Sequence, residues 1–154
     1  MYSTDIRLDP IDKAILRELR ENSRVSIRSL ARKLKLAPST VYERIKKLES
    51  HGVIKNYTVD INYRLLGYQL KALILAVVDG EHILEVEEEV ARSKNVVALY
   101  DITGEYDVAI IAVFKTIEEL DNFVKSLLRN PYIKHTTTSV VFRTIKEKYT
   151  LPIE

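Results

Sequence analysis

The stretch LARKLKLAPSTVYERIKKLESHGVI, Leu30 to Ile54, limits the possible folds of this chain more than any other. Ile27, Leu30, Ala31 and Leu34 recur at i, i+3, i+4 and i+7, the spacing of one buried helical stripe. Lys35, Leu36 and Ala37 interrupt that period. Pro38 suits the first position of a new helix, where a missing N–H costs nothing. In the second helix Val41, Ile45 and Leu48 line one face, while Ser39, Thr40, Glu43, Lys46 and Lys47 occupy the opposite arc. Gly52 follows as a C′ stop. Two helices joined by a tight turn, the second presenting short hydroxyls and cations, make the helix-turn-helix pattern that fits a DNA major groove.

Charge is distributed to match. Met1 to Asp60 carries 13 Lys and Arg against 8 Asp and Glu, whereas Ile61 to Glu154 carries 11 against 14. A basic first third beside a mildly acidic remainder assigns any polyanion to the first part, although basic surface alone would equally serve solubility. The chain has no cysteine, which excludes disulfides, thiolate metal sites and thiol catalysis. No apolar run approaches the ~18 residues of a membrane span, and the first twelve residues lack the apolar core of a secretion signal. The expected location is the cytoplasm. His51, His82 and His135 fall in three separate elements without metal-ligand spacing, and no nucleophile or phosphate-loop motif occurs. No catalytic residue, metal or cofactor is expected.

Upstream, Asp9, Pro10 and Asp12 read as an N-cap, an N1 proline and an acidic N3 residue, with Ile11, Ala14, Ile15 and Leu19 as the stripe of a helix ending near Asn22. Ile54 to Val59 alternates like a short wing or connecting strand, and Asp60 to Gln69 reads as a linker. The rest has another rhythm. Strands are predicted over Leu70–Val78, Val96–Thr103, Asp107–Phe114 and Ile133–Thr144. Helices are predicted over Ile83–Ser93, with Ile83, Val86 and Val90 inward, and from an N-cap at Thr116 to about Leu128, with Ile117, Leu120, Val124 and Leu127 inward. The order β-α-β-β-α-β matches the ferredoxin-like split βαβ, whose helices cover one sheet face. Strands as apolar as Leu73–Val78 and Ala109–Val113 would not leave the other face in water, so that face is expected to meet a second copy. The fold class is α+β: a (winged) helix-turn-helix domain over residues 1–60, a linker over 61–69, a ferredoxin-like domain over 70–146 and a tail over 147–154.

From Leu8 to Glu147 the chain resembles the Lrp/AsnC family, the feast/famine transcription regulators of bacteria and archaea. The resemblance is carried by LDPIDKAILRELRENSRVS (Leu8 to Ser26), the LA…L…STV…RI…LE…GVI skeleton (Leu30 to Ile54) and G-E-Y-D (Gly104 to Asp107). It implies a DNA-binding helix-turn-helix joined to a domain that assembles dimers, often tetramers or octamers, and that binds an amino acid between dimers. Two departures concern the helix-turn-helix. Ala37 stands where a Ser or similar cap is usual, at about 1 kcal/mol, and Lys35 stands where the turn often carries Gly.

For DNA contact the candidates are Ser39, Thr40, Tyr42, Glu43, Arg44, Lys46 and Lys47. Hydroxyls reach base edges or phosphates, and lysines suit phosphates. Glu43 either accepts from a cytosine amino group or pairs with Lys46 or Lys47. Arg44 anchors either a phosphate or the edge of the core. Ser26 and Arg28, opening the preceding helix, could also meet the backbone. For an amino-acid effector the candidates are Gly104, Glu105, Tyr106 and Asp107, with Thr136 and Thr138 on the last strand. A glycine admits a ligand to the backbone and a carboxylate pairs with an ammonium, yet both residues also suit an ordinary hairpin turn. The leading expectation is a sequence-specific regulator binding a roughly palindromic operator in double-stranded DNA as a homodimer or higher oligomer. The alternative is an architectural DNA-binding protein without an effector.

Overall fold

The computed structural model describes residues 6–148 and 150–154. Residues 1–5 and 149, which the sequence reading includes in the DNA-binding domain and the tail, lie outside the described residues. The chain forms two compact units, Met1–Asp60 with Lys148–Glu154, and Ile61–Glu147.

The first unit is three helices, α1 (Pro10–Glu21), α2 (Ile27–Leu34) and α3 (Pro38–Ser50). Asp9 and Asp12 form a reciprocal capping box at the start of α1: the Asp12 N–H donates to Asp9 Oδ1 at 2.8 Å and the Asp9 N–H to Asp12 Oδ2 at 3.1 Å. Ile15, Leu30, Ala31, Val41, Ile45 and Leu48 make the core. On the outer face of α1, Arg17 and Arg20 donate to the carbonyls of Ile153 and Leu151 at 3.0 and 2.8 Å, which holds the last residues to this unit. The helix-turn-helix turn passes through Lys35 at φ 57°, ψ 43°, in the left-handed region, while the Leu36 N–H bonds back to the Ala31 carbonyl at 2.9 Å. Ala37 caps α3 with no side-chain hydrogen bond, and Gly52 leaves α3 at φ 71°. The expected strand at Ile54–Val59 does not form. Among the described residues this stretch has no strand to pair with, and Tyr57 and Val59 stay exposed.

The second unit is a four-stranded antiparallel sheet of β1 (Leu70–Val78), β2 (Val96–Asp101), β3 (Val108–Phe114) and β4 (Ile133–Val140), ordered β2-β3-β1-β4, with helices α4 (Ile83–Ala91) and α5 (Ile117–Arg129). This is the ferredoxin-like arrangement. Ala72, Ile74, Ala76 and Val78 of β1 and Val108, Ile110, Ala112 and Phe114 of β3 pack with Val86 and Val90 of α4 and Leu120 and Leu127 of α5. Leu73, Leu75, Val77, Ala109 and Ile111 project from the other face, as strand alternation requires. Several expectations change: β2 ends at Asp101 rather than Thr103, and α4 at Ala91 rather than Ser93. β4 ends at Val140 rather than Thr144, because its partner β1 starts at Leu70 and the last ladder contact is the Val141 N–H to the Lys71 carbonyl. Ile117, expected inward, is 56% exposed in the first turn of α5.

Lys35 supplies a stability test. Glycine reaches the left-handed region without the Cβ clash that lysine suffers, so Lys35→Gly should stabilise the protein by roughly 1 kcal/mol after allowing for the freer unfolded chain. Urea unfolding checks this, with the midpoint expected to rise at constant slope.

Candidate DNA interface and effector site

Burial of Val41, Ile45 and Leu48 fixes the rotation of α3 and turns its opposite arc to solvent. Ser39, Tyr42, Glu43, Lys46 and Lys47 are exposed and Thr40 is half-buried. Among the described residues the side chains of Ser39, Thr40, Glu43 and Lys47 make no hydrogen bond or ion pair, and so remain available to a ligand. Lys46 is engaged. Its ammonium donates to Glu49 Oε2 at 2.9 Å and lies 5.8 Å from the centre of the Tyr42 ring. The hydrogen bond from Lys46 holds the Glu49 carboxyl below its ordinary range, with the Tyr57 hydroxyl, 3.1 Å from Oε1, acting in the same direction.

Arg44 is positioned differently from its neighbours. Its Nη1 donates to Asp9 Oδ2 at 2.6 Å and to Asp12 Oδ1 at 2.8 Å. Of the two readings left open for it, the geometry supports anchorage at the edge of the core. The Asp12 side chain is only 2% exposed, and its charge is compensated by this guanidinium and by the Asp9 N–H. Ser26 caps α2 by accepting from the Ser29 N–H at 3.1 Å, which commits its hydroxyl locally.

In the second unit the turn between β2 and β3 carries Gly104 at φ 123°, and the space where a Cβ would stand is open. Glu105 is exposed. Asp107 is built into the sheet: its Oδ2 accepts the Val78 N–H at 2.8 Å, its own N–H donates to the Ala76 carbonyl, and its carbonyl accepts from Ile102. The β1–β4 register shifts between Val77 and Val78, and the Asp107 carboxylate takes up the N–H at that irregularity. Thr136 and Thr138 pair with Ala76 and Ile74, so they share the face that carries the helices. They are not brought together with the turn. Tyr106 instead meets Thr137, hydroxyl to hydroxyl at 3.0 Å, and Thr137 lies 3.3 Å from His135 Nε2. Period-two alternation separates Thr137 from Thr136 and Thr138, but which set joins the turn depends on register, a long-range property. The sequence reading therefore missed Thr137 and His135. It also missed Glu49, whose signal was only an i,i+3 spacing to Lys46, and Tyr57, for which the local spacing carried no signal.

A basic trihelical unit with an outward hydroxyl-and-lysine arc, joined to a ferredoxin-like unit, defines a helix-turn-helix regulator with a separate sensory module. Residues 8–55 match a family model described as winged helix-turn-helix DNA-binding, and residues 71–151 match the Lrp/AsnC ligand binding domain. The chain belongs to the Lrp/AsnC family of transcription regulators. It is 44% identical to an HTH-type transcriptional regulator of Pyrococcus furiosus over 95% of this chain and 99% of the relative. It is 37% identical to HTH-type transcriptional regulator FL11 of Pyrococcus horikoshii, covering 97% of this chain and 99% of that one. Among solved structures, a transcriptional regulator of Neisseria meningitidis in complex with L-Met superposes with a TM-score of 0.88 at 27% identity, covering 95% of this chain and 97% of that chain. Among the described residues no helix is long and apolar enough to cross a membrane.

The Arg44 clamp makes a prediction. Arg44→Met leaves the buried Asp12 without its counter-ion. With the arginine side chain itself 27% exposed, the loss should fall between that of exposed and buried pairs, about 2 kcal/mol. Accepting the Asp12 N–H, and then the Arg44 guanidinium, holds the Asp9 carboxyl below its ordinary range. This contribution is complete above the ordinary carboxylate pKa and is lost as pH falls through the lowered value. Denaturant titrations at neutral and acid pH should therefore show the gap between wild type and variant narrowing in acid.

Proposed function

We propose that this regulator binds DNA as a homodimer or larger homo-oligomer, places paired α3 helices on a roughly palindromic operator, and changes assembly on binding a free amino acid. The observation that carries this reading is the division of surfaces between the two units. In the first, the outer arc of α3 has the hydroxyls for base or phosphate contact at Ser39 and Thr40, with Tyr42 and Glu43 beside them. Lys46 and Lys47 supply phosphate contacts there, and Arg44 supports the arc by fixing α3 to α1. In the second, the sheet face of Leu73, Leu75, Val77 and Ile111 has the apolar character of a self-association surface. A two-fold dimer repeats the same DNA-reading surface, which accounts for a palindromic operator. The two units thus serve as a DNA-binding domain over residues 1–60 and an assembly and effector domain over residues 70–146.

The L-Met complex of the Neisseria regulator supports an amino acid as the effector. The turn Gly104–Glu105–Tyr106–Asp107 offers open backbone at Gly104, and the Tyr106–Thr137–His135 chain offers hydroxyl and imidazole groups. We assign the polar partner of the turn to Thr137 in place of Thr136 and Thr138. Asp107 serves mainly to hold the turn, since one of its oxygens is bound to the Val78 N–H. The protein acts by binding and not by catalysis, in the compartment that holds its DNA, the cytoplasm.

Sedimentation velocity tests assembly and effector response together. The protein alone should sediment as a dimer or a multiple of it, and one or more of the twenty amino acids should shift the distribution. Gly104→Val, which places a β-branched side chain at a positive φ, should abolish the shift while leaving the dimer intact. A monomer at micromolar concentration would refute the assembly reading. An assembly indifferent to every amino acid would favour an architectural DNA-binding role.

A further inference from the structure

We infer that Glu49 is a positioning residue that restrains DNA binding: it forms an ionic latch with Lys46 on the DNA-facing side of α3, and Tyr57 holds the latch closed from the segment that follows the helix. The inference rests on the reading that Lys46 meets phosphate, and it assigns a role to two residues outside the candidate interface.

The geometry is a three-member chain. The Lys46 ammonium donates to one Glu49 oxygen at 2.9 Å, and the Tyr57 hydroxyl donates to the other at 3.1 Å. The carboxylate is thus held from both sides, and its side chain is 30% exposed against 57% for Lys46. The pair holds the Glu49 carboxyl below its ordinary range and the Lys46 ammonium above its own, so each favours the charged form of the other. A phosphate approaching Lys46 therefore competes with an intramolecular carboxylate. Lys47, one residue along, has no ion pair among the described residues and faces no such competition. Tyr57 lies in the irregular stretch that connects α3 to the second unit, so a shift of that stretch would loosen or tighten the latch.

Salt gives the latch a signature. Ions screen the Lys46–Glu49 pair as well as the phosphate contacts, so the restraint is strongest at low salt. The test is fluorescence anisotropy of the full-length protein with a labelled mixed-sequence duplex across a salt titration. Glu49→Gln should tighten binding by about two- to fivefold at low salt, the range expected from releasing one exposed ion pair, with a steeper salt slope. Tyr57→Phe, which changes no charge, should tighten binding in the same direction by less, and should add nothing in the Glu49→Gln background. The Lys46→Met/Glu49→Gln pair should bind no more tightly than Lys46→Met alone. A gain from Glu49→Gln that persists without Lys46 would reduce the effect to bulk charge and overturn the latch, as would no gain at all. If Lys46→Met leaves affinity and salt slope unchanged, the phosphate role of Lys46 fails as well, which separates that failure from failure of the latch alone.

Discussion

The burial of Val41, Ile45 and Leu48 against Ile15, Leu30 and Ala31 is the constraint on which the DNA-binding unit depends. Each fully buried branched side chain contributes roughly 2 kcal/mol, so rotating α3 to hide its polar arc would forfeit most of the small core. The hydroxyls and lysines are outward because the stripe must be inward. Arg44 adds a second restraint by tying α3 to the capping box of α1 through Asp9 and Asp12. The same two carboxylates therefore start one helix and orient another. A buried acid at Asp12 is tolerated because the Asp9 N–H and the Arg44 guanidinium converge on its carboxylate.

The second unit obeys a different rule. Its sheet alternates, and both helices pack on the face that carries Ile74, Ile110 and Phe114. The β-α-β-β-α-β order places both helices on one face and leaves the opposite face, with Leu73, Leu75, Val77 and Ile111, as the surface to which the proposed function assigns self-association. The turn at Gly104 and the irregularity at Val77–Val78 meet through the Asp107 carboxylate, which makes the turn part of the sheet. A rigid turn beside a short polar chain, Tyr106–Thr137–His135, presents a small polar area next to an apolar one.

Much of this was legible in the residues. Helical periodicity gave α1 to α3 and strand patterning gave β1 to β4, because both periods are local. Asp9, Pro10 and Asp12 announced the α1 cap, whereas the left-handed conformation of Lys35 is seen only in the structure. The site was less accessible. Thr136 and Thr138 share the effector expectation with the turn, whereas within this chain the hydroxyl that meets Tyr106 is that of Thr137. Register is set by pairing between distant strands, and a one-residue difference in parity exchanges the two faces. The strand anticipated at Ile54–Val59 had suitable alternation and no neighbour to pair with. Arg44 shares its helix with the DNA-facing residues, and only the packing of α1 shows that it turns to Asp9 and Asp12. Tyr57 and Glu49 lie eight residues apart, a contact that helix periodicity does not predict.

The central claim is that DNA meets the outer arc of α3 while the sheet serves assembly and sensing. Hydrogen–deuterium exchange of the full-length protein, with and without duplex DNA and with no amino acid added, addresses it directly. New protection is expected over Ser39–Lys47 and the start of α2, with β1 and β3 exchanging as they do in free protein. Protection confined to the strands, with α3 unchanged, would contradict it.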